Sequence, residues 1–324
     1  MTVVKLLQGS PEWIDARKQT IGATDIGVIV GESPWKDTRT LAAEKLGLVT
    51  EEFDPETQQL LDIGRIMQPA LLAIYTRLTN RPVRSEERRW HLSSKYPWAS
   101  ASLDGTAPGK RIVEAKWTNS RDWHGEEIPG RVQAQVQWQM FVVGWNVADV
   151  VVMERGNPRV IEVPRDDAFI DDLLWYALRF RETLDRGELP EPDGSESCRH
   201  LITKFHPHDD GSMLVATPEW DTLAALLAGA KSEAKTAADR QATAENVIRS
   251  MLGDASGVLG DGYKFTWKRN ADSTRVNWPA VAGGYRELLT GQGFSDETLA
   301  TVVSIHSETA PGARVLRASF KEMK

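Results

Sequence analysis

Two hydrophobic periods alternate along the 324-residue chain. Between Gln58 and Leu78 the apolar residues Leu60, Leu61, Ile63, Ile66, Met67, Leu71, Leu72, Ile74, Tyr75 and Leu78 recur near helical spacing, which predicts a helix. Ser10-Pro11-Glu12 reads as an N-cap, a proline at the first helical position and an acidic first turn. Ile21-Gly22-Ala23-Thr24-Asp25-Ile26 offers a second helix start, with Thr24 as its cap. From Ala99 to Trp117 the pattern turns to β: a strand, a turn at Pro108-Gly109, and a second strand, Arg111–Trp117. Residues 131–145 return to helical spacing, with Val132, Val136, Met140 and Val143 on one face. Strands follow at about Ala148–Met153 and Arg159–Val163, and an amphipathic helix at Asp166–Arg186.

Leu189-Pro-Glu-Pro-Asp-Gly-Ser-Glu-Ser is punctuated as a connector. The expected organisation is a domain over 1–190, a linker over 191–212 and an accessory region over 213–324. In the last, Thr217-Pro218-Glu219 opens a helix reaching about Leu252, on the order of 50 Å long. Tyr263, Phe265 and Trp267 then alternate with polar residues as in a strand. No catalytic constellation lies after residue 190.

Composition narrows the classes. No run of 18 apolar residues exists, so no membrane span is expected. The N-terminal apolar stretch is too short for a signal peptide. A single cysteine, Cys198, excludes an internal disulfide and a four-cysteine metal site, and fits a reducing cytoplasm. A net charge of −7 argues mildly against a nucleic-acid partner, although a local basic surface suffices for one. Twelve tryptophans suit core and interface, with a minority free to stack on bases.

The chemistry concentrates in the hairpin. Alternate strand residues share a face, so Glu114 and Lys116 point the same way, and the hairpin can bring Asp104 beside Glu114. Two carboxylates and an ammonium then meet, a set suited to a hard cation such as Mg²⁺. A solvated Glu-x-Lys pair is the plain alternative, but Ile112, Val113 and Ala115 suit a buried strand, where unpaired charge is costly. Arg77, Arg81, Arg84, Arg88 and Arg89 form the densest basic cluster, offset by Glu86 and Glu87; it reads as a solvated face or a phosphate contact. Trp13 and Arg17 share a helix face, as do Gln135 and Gln139. Gly64 sits inside a helix, where packing, another backbone or DNA would explain it; His124 reads as a surface residue.

Asp104-Gly105 followed by Glu114-x-Lys116 resembles the PD-(D/E)XK nuclease signature. More narrowly, the chain resembles the YqaJ-type viral recombinases, the group containing the phage lambda exonuclease. The blocks are Glu12-Trp13-x-x-x-Arg17, Ile21-Gly22-Ala23-Thr24-Asp25-Ile26, Gly64-Arg65-x-x-Gln68-Pro69 and Gln133-x-Gln135-x-Gln137-x-Gln139-Met140, in order within residues 9–190. The resemblance implies an α/β PD-(D/E)XK restriction-endonuclease-like core, a central mixed sheet flanked by helices, here with a C-terminal long-helix plus β-hairpin extension. It implies a metal-dependent 5′→3′ exonuclease on double-stranded DNA ends, serving single-strand annealing recombination. Asp104, Glu114 and the Ala115 carbonyl would hold Mg²⁺, with Mn²⁺ as a substitute. Gln68 stands where the family usually carries Glu, next to a second cation. Lys116 would act on the attacking water, and Gln135 would support the phosphate or Lys116. Arg17, Thr24, Arg65, Arg81, Arg84 and Gln139 make up the expected DNA contacts. A homo-oligomer (a trimeric ring), a single-strand annealing partner and the cytoplasm of a bacterial host follow from the same likeness. Two alternatives stay open: a structure-specific or single-strand nuclease of this fold, and a weakened DNA-end-binding protein, which the glutamine at 68 would favour.

Overall fold

The computed structural model describes residues 1–118, 123, 127–269, 277–293 and 295–305. The chain divides into two compact units, Met1–His206 and Pro207–Lys324. Strand β1 (Thr2–Lys5) opens the first and is followed by helices α1 (Pro11–Lys18), α2 (Ala23–Ile29), α3 (Thr38–Lys45) and α4 (Pro55–Thr79). Ser10 caps α1 by accepting from the Trp13 amide. Asp54 caps α4 in the same way, so the helix starts at Pro55, five residues before its apolar stripe begins at Leu60; it ends at Asn80 in the left-handed conformation. Thr24 is not the cap of α2. That helix starts at Ala23, and the Gly22 amide donates to the Asp25 carboxylate at 2.8 Å.

Strands β2 (Arg84–Ser85), β3 (Arg89–Leu92), β4 (Ser100–Ser102), β5 (Gly105–Ala107) and β6 (Arg111–Thr118) come next. The single strand expected from Ala99 is thus two strands in two sheets. β4 joins β1 and β3, while β5 pairs with β6. The break falls at Leu103-Asp104 because the Asp104 carboxylate, not a backbone carbonyl, takes the Ala115 amide at 2.8 Å. Gly105 is then required: a Cβ there would lie 2.8 Å from Val83 and 3.2 Å from the Arg84 carbonyl.

Helix α5 (Gly130–Val143) carries the chain to β7 (Val147–Glu154), which runs parallel to β6. β8 (Asn157–Pro164) returns antiparallel. The result is a mixed five-stranded sheet in the order β2-β5-β6-β7-β8. Ile112, Val150 and Val152 lie in one apolar cluster with Val132, Val136 and Met140 of α5, joined by Ile26 of α2 and Leu173 of α6 (Asp167–Asp185). Val113 and Val151 pack instead with Leu71, Leu72 and Tyr75 of α4. Helices therefore cover both faces of a central mixed sheet. β5 pairs with β6 only along Arg111–Val113, whereas β7 pairs with it along all eight residues. Beyond Val113, β6 has a strand on one side only, and there Glu114 and Lys116 lie.

Helix α7 (Glu196–Phe205) falls inside the stretch expected as a linker. Ser195 caps it, and its buried Cys198 and Leu201 accompany a bond from the Ser197 hydroxyl to Thr40 of α3. The second unit holds α8 (Pro218–Leu252), the antiparallel pair β9 (Gly257–Gly260) and β10 (Tyr263–Thr266), α9 (Trp278–Gly291) and α10 (Asp296–Ile305). Among the described residues no helix is long and apolar enough to cross a membrane.

Candidate active site

Period-two alternation on β6 aims Glu114 and Lys116 at α5, and they form an ion pair of 2.7 Å. Glu114 is 3% exposed. Its Oε1 also accepts from Gln135 Nε2 at 2.6 Å, and its Oε2 from Gln139 Nε2 at 2.8 Å. Gln135 Oε1 accepts from Lys116 Nζ at 2.9 Å. One glutamine thus holds both members of the ion pair. Gln135 and Gln139 are one turn apart on α5, which brings both amides to the same carboxylate. Gln135, Gln137 and Gln139 are buried, and each has a polar partner: Gln137 donates to the Pro164 carbonyl and accepts from the Asp166 amide.

Asp104 comes from the β4–β5 break. Its Oδ2 takes the Ala115 amide, and its Oδ1 accepts from Gln68 Nε2 at 2.9 Å. Burial and then the charge of Glu114 push the Asp104 carboxyl up to about 7, against the pull of Lys116 and the Ala115 amide. Burial works against the Lys116 ammonium, but Glu114 and Asp104 hold it above the ordinary lysine value. The N–H and C=O of one strand residue point to the same side, so the Ala115 carbonyl faces the side that β5 has vacated. Two crowded carboxylates and a carbonyl, with one lysine between them, are an all-oxygen set with surplus negative charge. That set fits a hard divalent cation.

A second cluster lies on α1, α2 and α3. Arg17 Nη2 donates to Thr24 Oγ1 and to Asp25, each at 3.2 Å, and its guanidinium stacks 4.7 Å from the Trp13 ring. Lys45 Nζ donates to Asp25 at 2.6 Å and to the carbonyls of Arg17 and Thr20. Burial opposes the charge on Asp25, yet Lys45 and then Arg17 hold its carboxyl down at about 2. Trp13 Nε1 donates to Ser102 at 3.2 Å, two residues from Asp104, which ties this cluster to the first. Lys45 closes α3, a short helix whose sequence signals are its Asp37 cap and a brief apolar run, and neither marks the lysine as a partner of Asp25. Asp25 belongs to the Ile21–Ile26 segment, whose residue pattern does not show that this carboxylate is buried.

Other expected contacts separate from the site. Gln139 is fully buried and is corrected from a DNA contact to a support of Glu114, since no surface of it is left for a ligand. Arg81 pairs at 3.6 Å with Asp149, which also takes Tyr75 and Arg111. Asp149 is registered with Val113, on the α4 face of the sheet, so Arg81 is turned away from Glu114. Arg84 is held by buried Glu86, at 2.8 Å. Arg65 stays on the surface of α4 near Asp62. Gly64 has open space where a Cβ would stand, so packing within this chain does not require it. His124 lies outside the described residues. Asp37, Asp193 and Cys198 also converge, but both carboxylates cap local backbone, Asp37 the amides of Arg39 and Thr40 and Asp193 that of Ser195.

Comparison with known proteins follows the same stretch of chain. Residues 12–146 match the family described as the YqaJ-like viral recombinase domain. A Bacillus subtilis (strain 168) protein, described as uncharacterized protein YqaJ, is 26% identical over 270 residues, 79% of this chain and 82% of that protein. An alkaline exonuclease, LHK-Exo, from Laribacter hongkongensis is 18% identical with a TM-score of 0.47, covering 60% of this chain and 98% of that one. A phage related exonuclease from Haemophilus somnus 129PT is 13% identical with a TM-score of 0.39, covering 58% and 96%. Gln68, Asp104, Glu114, Lys116, Gln135 and the Arg17 cluster all fall within the matched residues. Through residues 12–146, the stretch that holds these side chains, the chain is similar to the YqaJ-like viral recombinase domain family.

Proposed function

We propose that this chain is a divalent-metal-dependent deoxyribonuclease of the PD-(D/E)XK type, acting as a 5′→3′ exonuclease on double-stranded DNA ends for single-strand annealing recombination. The observation that carries the reading is the meeting of Asp104, Glu114 and Lys116 where β6 has lost its β5 neighbour. Asp104, Glu114 and the Ala115 carbonyl would hold one or two Mg²⁺ or Mn²⁺, and Gln68 would offer a neutral amide oxygen beside Asp104. A divalent cation there acidifies a water and offsets charge on the phosphate. Lys116, fixed between Glu114 and Gln135, orients the attacking water and faces the charge that develops on the phosphate oxygens. Arg17 and Thr24 would receive a terminal 5′-phosphate; their mutual hydrogen bond and the hold of Asp25, itself paired with Lys45, on the guanidinium support this. Direction of cleavage, a closed trimer and a single-strand annealing partner rest on the family likeness. Residues 1–190 would do the chemistry, and 213–324 would serve as an accessory region.

Digestion of linear and of covalently closed DNA, each with Mg²⁺ and then with EDTA, tests this. Loss of linear DNA only, stopped by EDTA, is the expected result. Nicking of closed circles would move the reading to an endonuclease, and a gel shift without loss would reduce it to end binding.

A further inference from the structure

Helix α8 carries an apolar seam that no element of the second unit covers among the described residues. From Trp220, positions 223, 227, 230, 234, 237, 241, 244, 248 and 251 follow in alternating steps of three and four. That is the spacing of a coiled-coil a/d stripe, kept over the length of the helix with one polar member, Gln241. Trp220, Leu223 and Leu227 fill one end, Ile248 and Met251 the other, and Ala230, Ala234 and Ala237 the centre. No residue of α8 is buried. Beside the alanines lies a shallow, open concavity whose lining includes Ala230, Ala234 and Ala237 of the seam, Glu233 and Arg240 beside it, and Ser232 and Thr236 away from it.

The row flanking this seam says what fits it. One residue before each a position, it reads Glu219 in the first turn and then, along the body of the helix, Leu226, Glu233, Arg240, Val247. Reversed, it reads apolar, basic, acidic, apolar. In an antiparallel coiled coil these flanking rows face each other. A second α8 laid antiparallel then sets Leu226 against Val247 and Glu233 against Arg240, each contact made twice by symmetry. In the same register Trp220 meets Met251 and Ala234 meets Ala237, so the small residues let the helices approach at their middle. A parallel pair would set Leu226 against Lys231 and leave Glu233 opposite Ala238. Within one helix Glu233 and Arg240 stand seven residues apart, about 10 Å along the axis, and do not meet. We propose that α8 is a self-complementary dimerisation helix, pairing antiparallel with α8 of a second copy of this chain.

The proposal concerns the second unit and does not depend on the nuclease reading. Rings formed by the first unit would be joined in pairs by the same contact. Sedimentation of the full chain over a dilution series tests it, with Glu233→Arg and Arg240→Glu, both exposed positions. Each reversal places like charges together twice. Each should raise the dissociation constant of the pair about tenfold or more, and halve the mass at dilutions where the native chain stays paired. The double reversal, and an equimolar mixture of the two single variants, should recover the native mass. A native chain unpaired at micromolar concentration would overturn the proposal. So would a mass that falls with Arg240→Glu but not with Glu233→Arg, the signature of a parallel pair, in which Arg240 faces Glu245.

Discussion

Glu114 receives three side-chain donors, and they are not equivalent. Among the described residues, Lys116 and Gln135 share Oε1, whereas Gln139 alone serves Oε2. Replacing Gln139 by Leu leaves a buried carboxylate oxygen unmet and free to turn. The expected effect is a loss of about 10- to 100-fold in activity or metal affinity, with DNA affinity little changed. Steady-state kinetics at several Mg²⁺ concentrations, with anisotropy for DNA, would show it; full activity would remove Gln139 from the support of the site. Gln68 makes the opposite case. It donates to Asp104 and adds no charge. Gln68→Glu should lower the Mg²⁺ needed for half-maximal rate, and Gln68→Leu should cripple the enzyme. An unchanged titration with an active Gln68→Leu would place this residue outside the chemistry. The adjacency of Glu114 and Lys116 was legible because strand residues alternate. The role of Gln139 was not. Helical spacing grouped it with Gln135 but could not say that this stripe faces inward, onto a carboxylate 25 residues earlier in the chain.

At the level of elements, the turn from α1 into α2 and the packing of α3 against them converge on one carboxylate. Asp25 is anchored by Lys45, Arg17 and the Gly22 amide. Its folded value of about 2 lies below the ordinary 3.8. A depressed carboxyl stabilises fully above the ordinary value and loses that contribution as pH falls toward the folded one. Asp25 should therefore supply about 2 kcal/mol above pH 4, fading toward pH 2. Urea unfolding of the native chain and Asp25→Asn should show a gap that narrows over that interval; a constant gap would contradict it. Because the same cluster fixes Arg17 beside Thr24, phosphorylated 5′ ends should be degraded faster than dephosphorylated ones, and Arg17→Ala should erase the difference. Equal rates with the native chain would count against this pocket. Helices α1, α4, α5 and α6 were legible from caps and apolar stripes. The splitting of the Ala99 strand was not, since its cause is a side chain standing in for a backbone acceptor. Helix α7 was hidden by the Pro and Gly residues just ahead of its cap.

Across the whole first unit, the sheet sets the site by ending one strand early. β5 stops opposite Val113, Asp104 turns in from the break, α5 covers the Glu114 face, and α4 brings Gln68 from the other side. The order of helices and strands implied a mixed sheet with helices on both faces. It did not imply the shortened β5, which depends on the Asp104 carboxylate taking the Ala115 amide in place of a strand partner. If this edge is where phosphodiesters are cut, Lys116→Ala isolates the chemistry best. Its ammonium is held by Glu114 and Gln135 and takes no part in the apolar core. Cleavage of linear duplex DNA with Mg²⁺ should fall by about 10² to 10³ or more, while binding, read by anisotropy in the same buffer, stays within a few-fold. Native cleavage rates in Lys116→Ala would contradict the assignment of this edge as the catalytic centre.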